Sequence, residues 1–167
     1  LSFAIQIFFR KFIESKNGEW ISIGIQLTTL GLAFYLFAVM IGHYDPHFRI
    51  EENVTWFNLG NFSLEMGILI DNISVIMLLV VALISSLVHI YSTEYMKGDI
   101  RFSRYYGFLG IFTFSMNGIV LANNFFMIYV FWELVGLSSY LLIGHWWEKN
   151  SAADASKKAF ITNRVGD

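Results

Sequence analysis

Residues 124–144 read NFFMIYVFWELVGLSSYLLIG, a run with no proline and a single charged side chain, Glu133. A helix needs about 20 mainly apolar residues to cross the hydrocarbon core of a bilayer. This run is long enough, so it predicts a transmembrane helix with a carboxyl near the bilayer midplane. Working outward, three more windows have that character. They are Trp20–Gly42, Asn72 to about Tyr91, and about Tyr105 to Ala122. Leu1–Phe9 reads as the tail of another span, and a further helix is expected to begin at Ser151, where Ser151 and Asp154 have the spacing of a capping box. Residue 1 is Leu and the last helix is still under way at Asp167, so the sequence is expected to be a piece of a longer polytopic chain.

Composition supports the membrane class. Hydrophobic residues make up 56 % of the 167 residues and charged residues 14 %, against roughly 25 % charged in soluble domains. Mean hydropathy is +0.55. With no Cys, the segment can build no disulfide, thiolate metal site or iron–sulfur ligation. It lacks the basic stripe that nucleic-acid binding requires. No nucleotide loop, HExxH or hydrolase elbow occurs. The chemistry left to such a chain is moving charge across a membrane.

The connections divide the chain into residues 1–42, a long link 43–71, and residues 72–167. In the link, Phe62, Leu64, Met66, Ile68 and Ile70 alternate with mostly polar or small residues, a period-2 strand pattern. Gly60–Asn61 separates that run from Val54–Leu59 and suits a hairpin turn. Alternate connections fall on opposite faces of the membrane. One face collects Arg10, Lys11, Lys16, Lys97, Arg101, Arg104, Lys149, Lys157 and Lys158, and the other only Arg49. The positive-inside rule places the basic face in the cytoplasm and the hairpin outside. Trp20, Tyr91, Trp146 and Trp147 fall at span ends, where interfacial aromatics belong.

Glu133 is the main chemical clue. An acid at the centre of a span costs about 2.5–3.5 kcal/mol on insertion scales, so it faces protein or water rather than lipid. At 3.6 residues per turn, Tyr129, Gly136, Tyr140 and Gly144 share its face. Gly136 lets another helix approach closely. Desolvation disfavours the charged carboxylate and a nearby cation favours it; a site balanced between the two can load and release a proton. The competing reading is a satisfied acid that merely bonds two helices. Asp167 is about 15 residues into the last helix, or ~22 Å along its axis, and is the second deep acid. Arg164, three residues earlier, could pair with it as a neutralised structural ion pair. His89 has Ser85 one turn back on its face. It could relay protons, although a lone helix histidine is more often a structural hydrogen bonder. Thr113 and Asn117 form a polar stripe of the kind that most often binds helices together. Gly24, Thr28 and Gly31 read as a packing seam.

These residues also carry a family resemblance. The run Phe131–Gly144 resembles the fifth-helix signature of the antiporter-like subunits of respiratory NADH–quinone oxidoreductase, complex I. Lys158–Asp167, KAFITNRVGD, resembles the start of the sixth helix of the subunit L type, the counterpart of mitochondrial subunit 5. DNISVIML from Asp71, HIYSTEYM from His89 and RFSRYY from Arg101 fit the same type in order and spacing, over about residues 54–167. The resemblance implies an all-α polytopic membrane fold. This chain would supply helices one to six, with a small extracytoplasmic β-hairpin. It implies proton translocation coupled to quinone reduction elsewhere in the complex. Glu133 would correspond to a glutamate that pairs with a lysine on helix seven, and Asp167 to a sixth-helix aspartate. Arg164 and His89 join them as candidate proton-handling residues. No cofactor is expected in this segment, and FMN, iron–sulfur clusters and quinone would belong to the complex. The implied partners are the other membrane subunits, especially the adjacent antiporter-like one, and the lipid bilayer, with no nucleic acid. The implied site is a bacterial plasma membrane. One departure is Leu134, where many relatives have Gly.

Three alternatives remain at this level. The large subunit of a multi-subunit Na⁺/H⁺ antiporter shares the fifth-helix glutamate. A membrane-bound hydrogenase arm is a third home for the same pattern. A structural scaffold with no transport role would tolerate Gln at Glu133 and Asn at Asp167.

Overall fold

A computed structural model describes residues 2–8, 18–59 and 62–166. The elements in chain order are α1 (Ser2–Phe8), α2 (Gly18–Gly42), β1 (Arg49–Leu59), β2 (Phe62–Asp71), α3 (Asn72–Tyr95), α4 (Phe102–Leu121), α5 (Phe125–Ile143), a 3₁₀ turn (Gly144–Trp146) and α6 (Asn150–Gly166). Neighbours in sequence pack together: α2 on α3, α3 on α4, α4 on α5 and α5 on α6, while α1 lies mainly against α4.

Three of the described helices are long and apolar enough to cross a membrane: Glu19–Gly42, Asn72–Tyr95 and Phe125–Trp146. The expected window 105–122 is a helix, but a more polar one, and does not reach that standard. The reason is its place in the bundle. It touches α1, α3 and α5, so its Thr113 and Ser115 are buried among helices. Side chains that never meet lipid need not be apolar. The outward faces, by contrast, carry exposed Leu32, Phe34, Ile73, Leu87 and Phe125, as suits a chain whose surroundings are hydrocarbon.

The hairpin forms with longer strands than the alternation indicated, because β1 starts at Arg49 instead of Val54. Glu51, Glu52 and Asn53 show no apolar alternation, yet they pair with Leu69, Ile68 and Gly67. The antiparallel ladder runs to Leu59↔Phe62, with an irregularity between Thr55 and Phe57. The Gly60–Asn61 turn lies outside the described residues.

The hairpin clasps one end of the bundle. Asn123 bonds Asn53, and Asn124 Nδ2 donates to the Glu65 carbonyl at 2.8 Å. The Gly67 N–H meets Met127 Sδ at 3.2 Å. Two caps start helices there. Asn124 accepts the Met127 N–H at 2.8 Å, and Asp71 accepts both the N–H and the hydroxyl of Ser74 at 2.7 and 2.8 Å. These caps satisfy amides that the first helical turn leaves without partners. The Ser74 backbone and side-chain donors hold the Asp71 carboxyl below the ordinary carboxylate range.

At the opposite end, the chain leaves α3 through Gly98, whose φ of +86° is open only to residues tolerant of the left-handed region. The Arg101 N–H donates to Asp99 Oδ1 at 2.7 Å, and the Trp146 indole donates to Oδ2 at 2.9 Å. Burial opposes charge on Asp99, but these donors and His145 outweigh it and keep the carboxyl below its usual range.

Candidate functional site

The α5–α6 seam is built by four antiparallel pairs. Glu133, Gly136, Tyr140 and Gly144 lie at helical spacing along α5, and each meets one residue of α6. The Arg164 guanidinium donates to Glu133 Oε1. A β-carbon at Gly136 would lie 3.5 Å from Asn163 Nδ2. The rings of Tyr140 and Phe160 are 5.5 Å apart. A β-carbon at Gly144 would come within 3.2 Å of Ser156 Oγ. The predicted face of α5 is therefore the face that meets the next helix, and the two glycines set how close it comes. On the opposite side of α5, the Phe131 ring lies against Gly118 of α4, where a β-carbon would clash with it.

Glu133 sits one residue from the centre of α5. Its side chain retains 25 % of its free exposure and that of Arg164 54 %, so the pair lines an open flank of this chain. A charge at this depth needs a counter-charge, because removing it from water costs more than any neutral bond returns. Sequence spacing suggested that Arg164 would pair with Asp167 along its own helix. In the structure Arg164 crosses to Glu133, and Asp167 lies outside the described residues. The cross-helix pair satisfies two deep charges at once.

His89 belongs to a different place, the α3–α4 seam. It is 1 % exposed. Its Nδ1 lies 2.7 Å from the Ser85 carbonyl, which can only accept, so the proton sits on Nδ1. Ser85 Oγ is 2.6 Å from Thr113 Oγ1, and the Tyr106 hydroxyl donates to the His89 carbonyl at 2.8 Å. Sequence reasoning missed Asn163, Phe160 and Ser156, whose spacing of three and four residues along α6 matches that of α5 and could have revealed them. It also missed Asp99 and His145, whose contact joins loops 46 residues apart and leaves no local signal. Among the described residues no cluster of three or more His, Asp or Glu could hold a metal ion.

A bundle of long apolar helices, with an acid–guanidinium pair across a glycine-lined seam and one hairpin at its end, has the build of a membrane protein. Comparisons with known proteins agree. The family model described as NADH-Ubiquinone oxidoreductase (complex I), chain 5 N-terminus, matches residues 56–106. The one described as NADH:quinone oxidoreductase/Mrp antiporter, TM, matches residues 122–167. The chain belongs to the chain 5, or subunit L, family of antiporter-like subunits, and it is part of a multi-pass membrane protein.

Among curated relatives, the chain is 42 % identical over 142 residues to NAD(P)H-quinone oxidoreductase chain 5 of Synechocystis, covering 84 % of this chain and 21 % of that protein. It is 42 % identical over 151 residues to NADH-quinone oxidoreductase subunit L of Mycobacterium tuberculosis, covering 90 % and 24 %. To the chloroplastic subunit 5 of Cryptomeria japonica it is 43 % identical over 163 residues, covering 96 % and 22 %. The chain thus spans less than a quarter of the length of these relatives. A solved structure of the membrane-bound sulfane sulfur reductase, an archaeal respiratory membrane complex, shares the fold. Its TM-score is 0.79 at 18 % identity, over 99 % of this chain and 32 % of that one.

Proposed function

We propose that this chain is the front part of a proton-translocating membrane-arm subunit of an NADH–quinone oxidoreductase. The redox reaction belongs to the complex, whose FMN, iron–sulfur clusters and quinone lie in other subunits. This subunit moves protons across the membrane in response. Residues 72–167 form the proton-handling module, residues 43–71 cap it outside, and residues 1–42 flank it. Its partners are lipid and the neighbouring membrane subunits, above all the next antiporter-like one. The setting is a bacterial plasma membrane.

The observation that carries this reading is the Glu133–Arg164 pair at the middle of an apolar span. While the guanidinium faces it, Glu133 stays ionised. When a competing anion draws Arg164 away, the lone carboxylate in a low-dielectric site takes a proton. Returning the guanidinium releases it. Arg164 is therefore a switch contact, and Asp167 three residues on shapes the field around it. Gly136 and Gly144 let α5 and α6 slide without clash. The family resemblance supplies a further cation, a lysine of helix seven, whose approach to Glu133 would favour release of that proton.

Glu133→Gln in the full-length subunit tests this. The assembled complex, reconstituted in vesicles, is expected to keep its subunit composition and to pump protons several-fold more slowly per NADH oxidised. Unchanged pumping would remove Glu133 from the mechanism. A second reading, a subunit of a cation/proton antiporter, is favoured by the Mrp antiporter in the description of the family model matching residues 122–167. It requires sodium-dependent proton movement without NADH or quinone.

A further inference from the structure

A second polar line runs through the molecule on the α3–α4 seam, and the Glu133 site does not use it. It starts at the basic face, in a cleft of 480 Å³ lined by Gly98, Asp99, Ile100, Arg101, Trp146 and Glu148. Beside Trp146, with ring centroids 5.5 Å apart, lies His145, 5 % exposed, its Nδ1 without a hydrogen bond among the described residues. Its Nε2 stands 3.5 Å from Asp99 Oδ2, and its ring lies edge-on to Tyr105 at 5.5 Å. The Tyr105 hydroxyl is 3.2 Å from Ser92 Oγ. Next come Tyr106 and His89, with rings 5.8 Å apart, and then Ser85 and Thr113. One turn further, Asn117 Oδ1 is buried without a hydrogen-bond partner among the described residues.

The line has direction. Ser92, His89 and Ser85 are three, six and ten residues from the end of α3 at Tyr95, or about 5, 9 and 15 Å inward at 1.5 Å per residue. Thr113 is eleven residues into α4, about 17 Å. Half of a hydrocarbon core of about 30 Å is therefore crossed by groups that donate and accept. Buried polar atoms find partners, and water serves where protein does not. His145 Nδ1 and Asn117 Oδ1, without hydrogen-bond partners among the described residues, stand at the two ends of the line.

We propose that the α3–α4 seam is a proton-uptake track, leading from the Asp99–His145 cleft through a file of water and side chains to Thr113 at mid-depth. This rests on the proton-translocating reading above and adds a route to it. The transfer balances without any other reactant. A proton arriving by water binds His89 Nε2, because Nδ1 already carries one. The Ser85 hydroxyl, 3.5 Å from Nδ1, swings in and takes the Nδ1 proton. It passes its own proton to Thr113 Oγ1, which gives one up to water beside Asn117. The imidazole is left neutral with its proton on Nε2, and rotation of the ring resets it. His89 is a relay residue here, and Tyr106 positions it through the carbonyl bond.

The test uses the complete subunit in the assembled complex, reconstituted in vesicles. Thr113→Ser keeps the hydroxyl, and Thr113→Val keeps the volume but loses it. Thr113→Ser is expected to pump like the unsubstituted complex. Thr113→Val and His89→Gln are expected to pump several-fold more slowly per NADH oxidised, with a larger slowing in D₂O. Unchanged pumping in Thr113→Val, or equal losses in Thr113→Ser and Thr113→Val, would overturn the track. The two Thr113 variants decide the question even where His89→Gln fails to assemble. Glu133→Gln is measured alongside. If it alone pumps normally, the Glu133 reading falls while the hydroxyl comparison still tests the track.

Discussion

The α3–α4 and α5–α6 seams cross the same depth and meet its demands differently. In the first, the buried polar groups among the described residues are mostly hydroxyls around one imidazole, and many are satisfied within one helix. The hydroxyls of Ser86, Ser92, Thr113 and Ser115 donate to carbonyls four residues back. In the second, an acid and a guanidinium, Glu133 and Arg164, find each other across helices. A hydroxyl can borrow a carbonyl from its own helix, whereas a charge in hydrocarbon needs an opposite charge. On the proposed track, the hydroxyl-lined seam would stay closed and pass protons by rotation. The other seam gains or loses a large interaction whenever its pair separates, which is the basis for proposing it as the switch.

The largest effect should come from leaving one charge alone. Arg164→Met strands Glu133, at a cost of about 2.5–3.5 kcal/mol on insertion scales. Much less assembled complex is expected by native electrophoresis. Adding Glu133→Gln to Arg164→Met should restore assembly but not pumping. If the single variant assembled as well as the double, the pair would be no more than a surface contact.

A smaller effect is expected where helices merely touch. Gly118→Val drives a side chain into the Phe131 ring and should cost about 1–3 kcal/mol, read as a lower melting temperature. Gly31→Val, with nothing nearby to meet, should change far less.

The caps at the hairpin end come next. Asp71→Ala should lose about 1 kcal/mol. The Asp71 carboxyl is held below its ordinary range in the fold, so its contribution is complete at neutral pH. It is lost as pH falls through the lowered value. Melting followed between neutral and acid pH should converge for Asp71→Ala and the parent at the acid end. The smallest effect belongs to Lys97→Ala, which breaks an exposed pair with Glu94 and should shift stability by less than about 1 kcal/mol.

The contrast between the seams was half legible in the sequence. Glu133 with Gly136, Tyr140 and Gly144 announced the α5 face, because helical spacing alone puts them together. The identity of the partner was not legible. Arg164 stood three residues from Asp167, and nothing local favoured a crossing to α5. Spans read well where apolar runs were unbroken. The window holding α4 read as a helix but less clearly as a span, because burial among helices frees a residue from the need to be apolar. The hairpin was visible in the alternation of β2 but not in Glu51–Asn53, where cross-strand pairing overrides composition. The Asp99–His145 contact joins distant loops, and no window could contain it.

The most direct measurement is infrared difference spectroscopy of the reconstituted complex during NADH oxidation, comparing the parent with Glu133→Gln. A carboxylic-acid C=O band that rises and falls with turnover in the parent and vanishes in Glu133→Gln is the predicted result. A band that survives the substitution unchanged, or a parent spectrum with no such band, would contradict the claim that Glu133 takes up and gives back a proton.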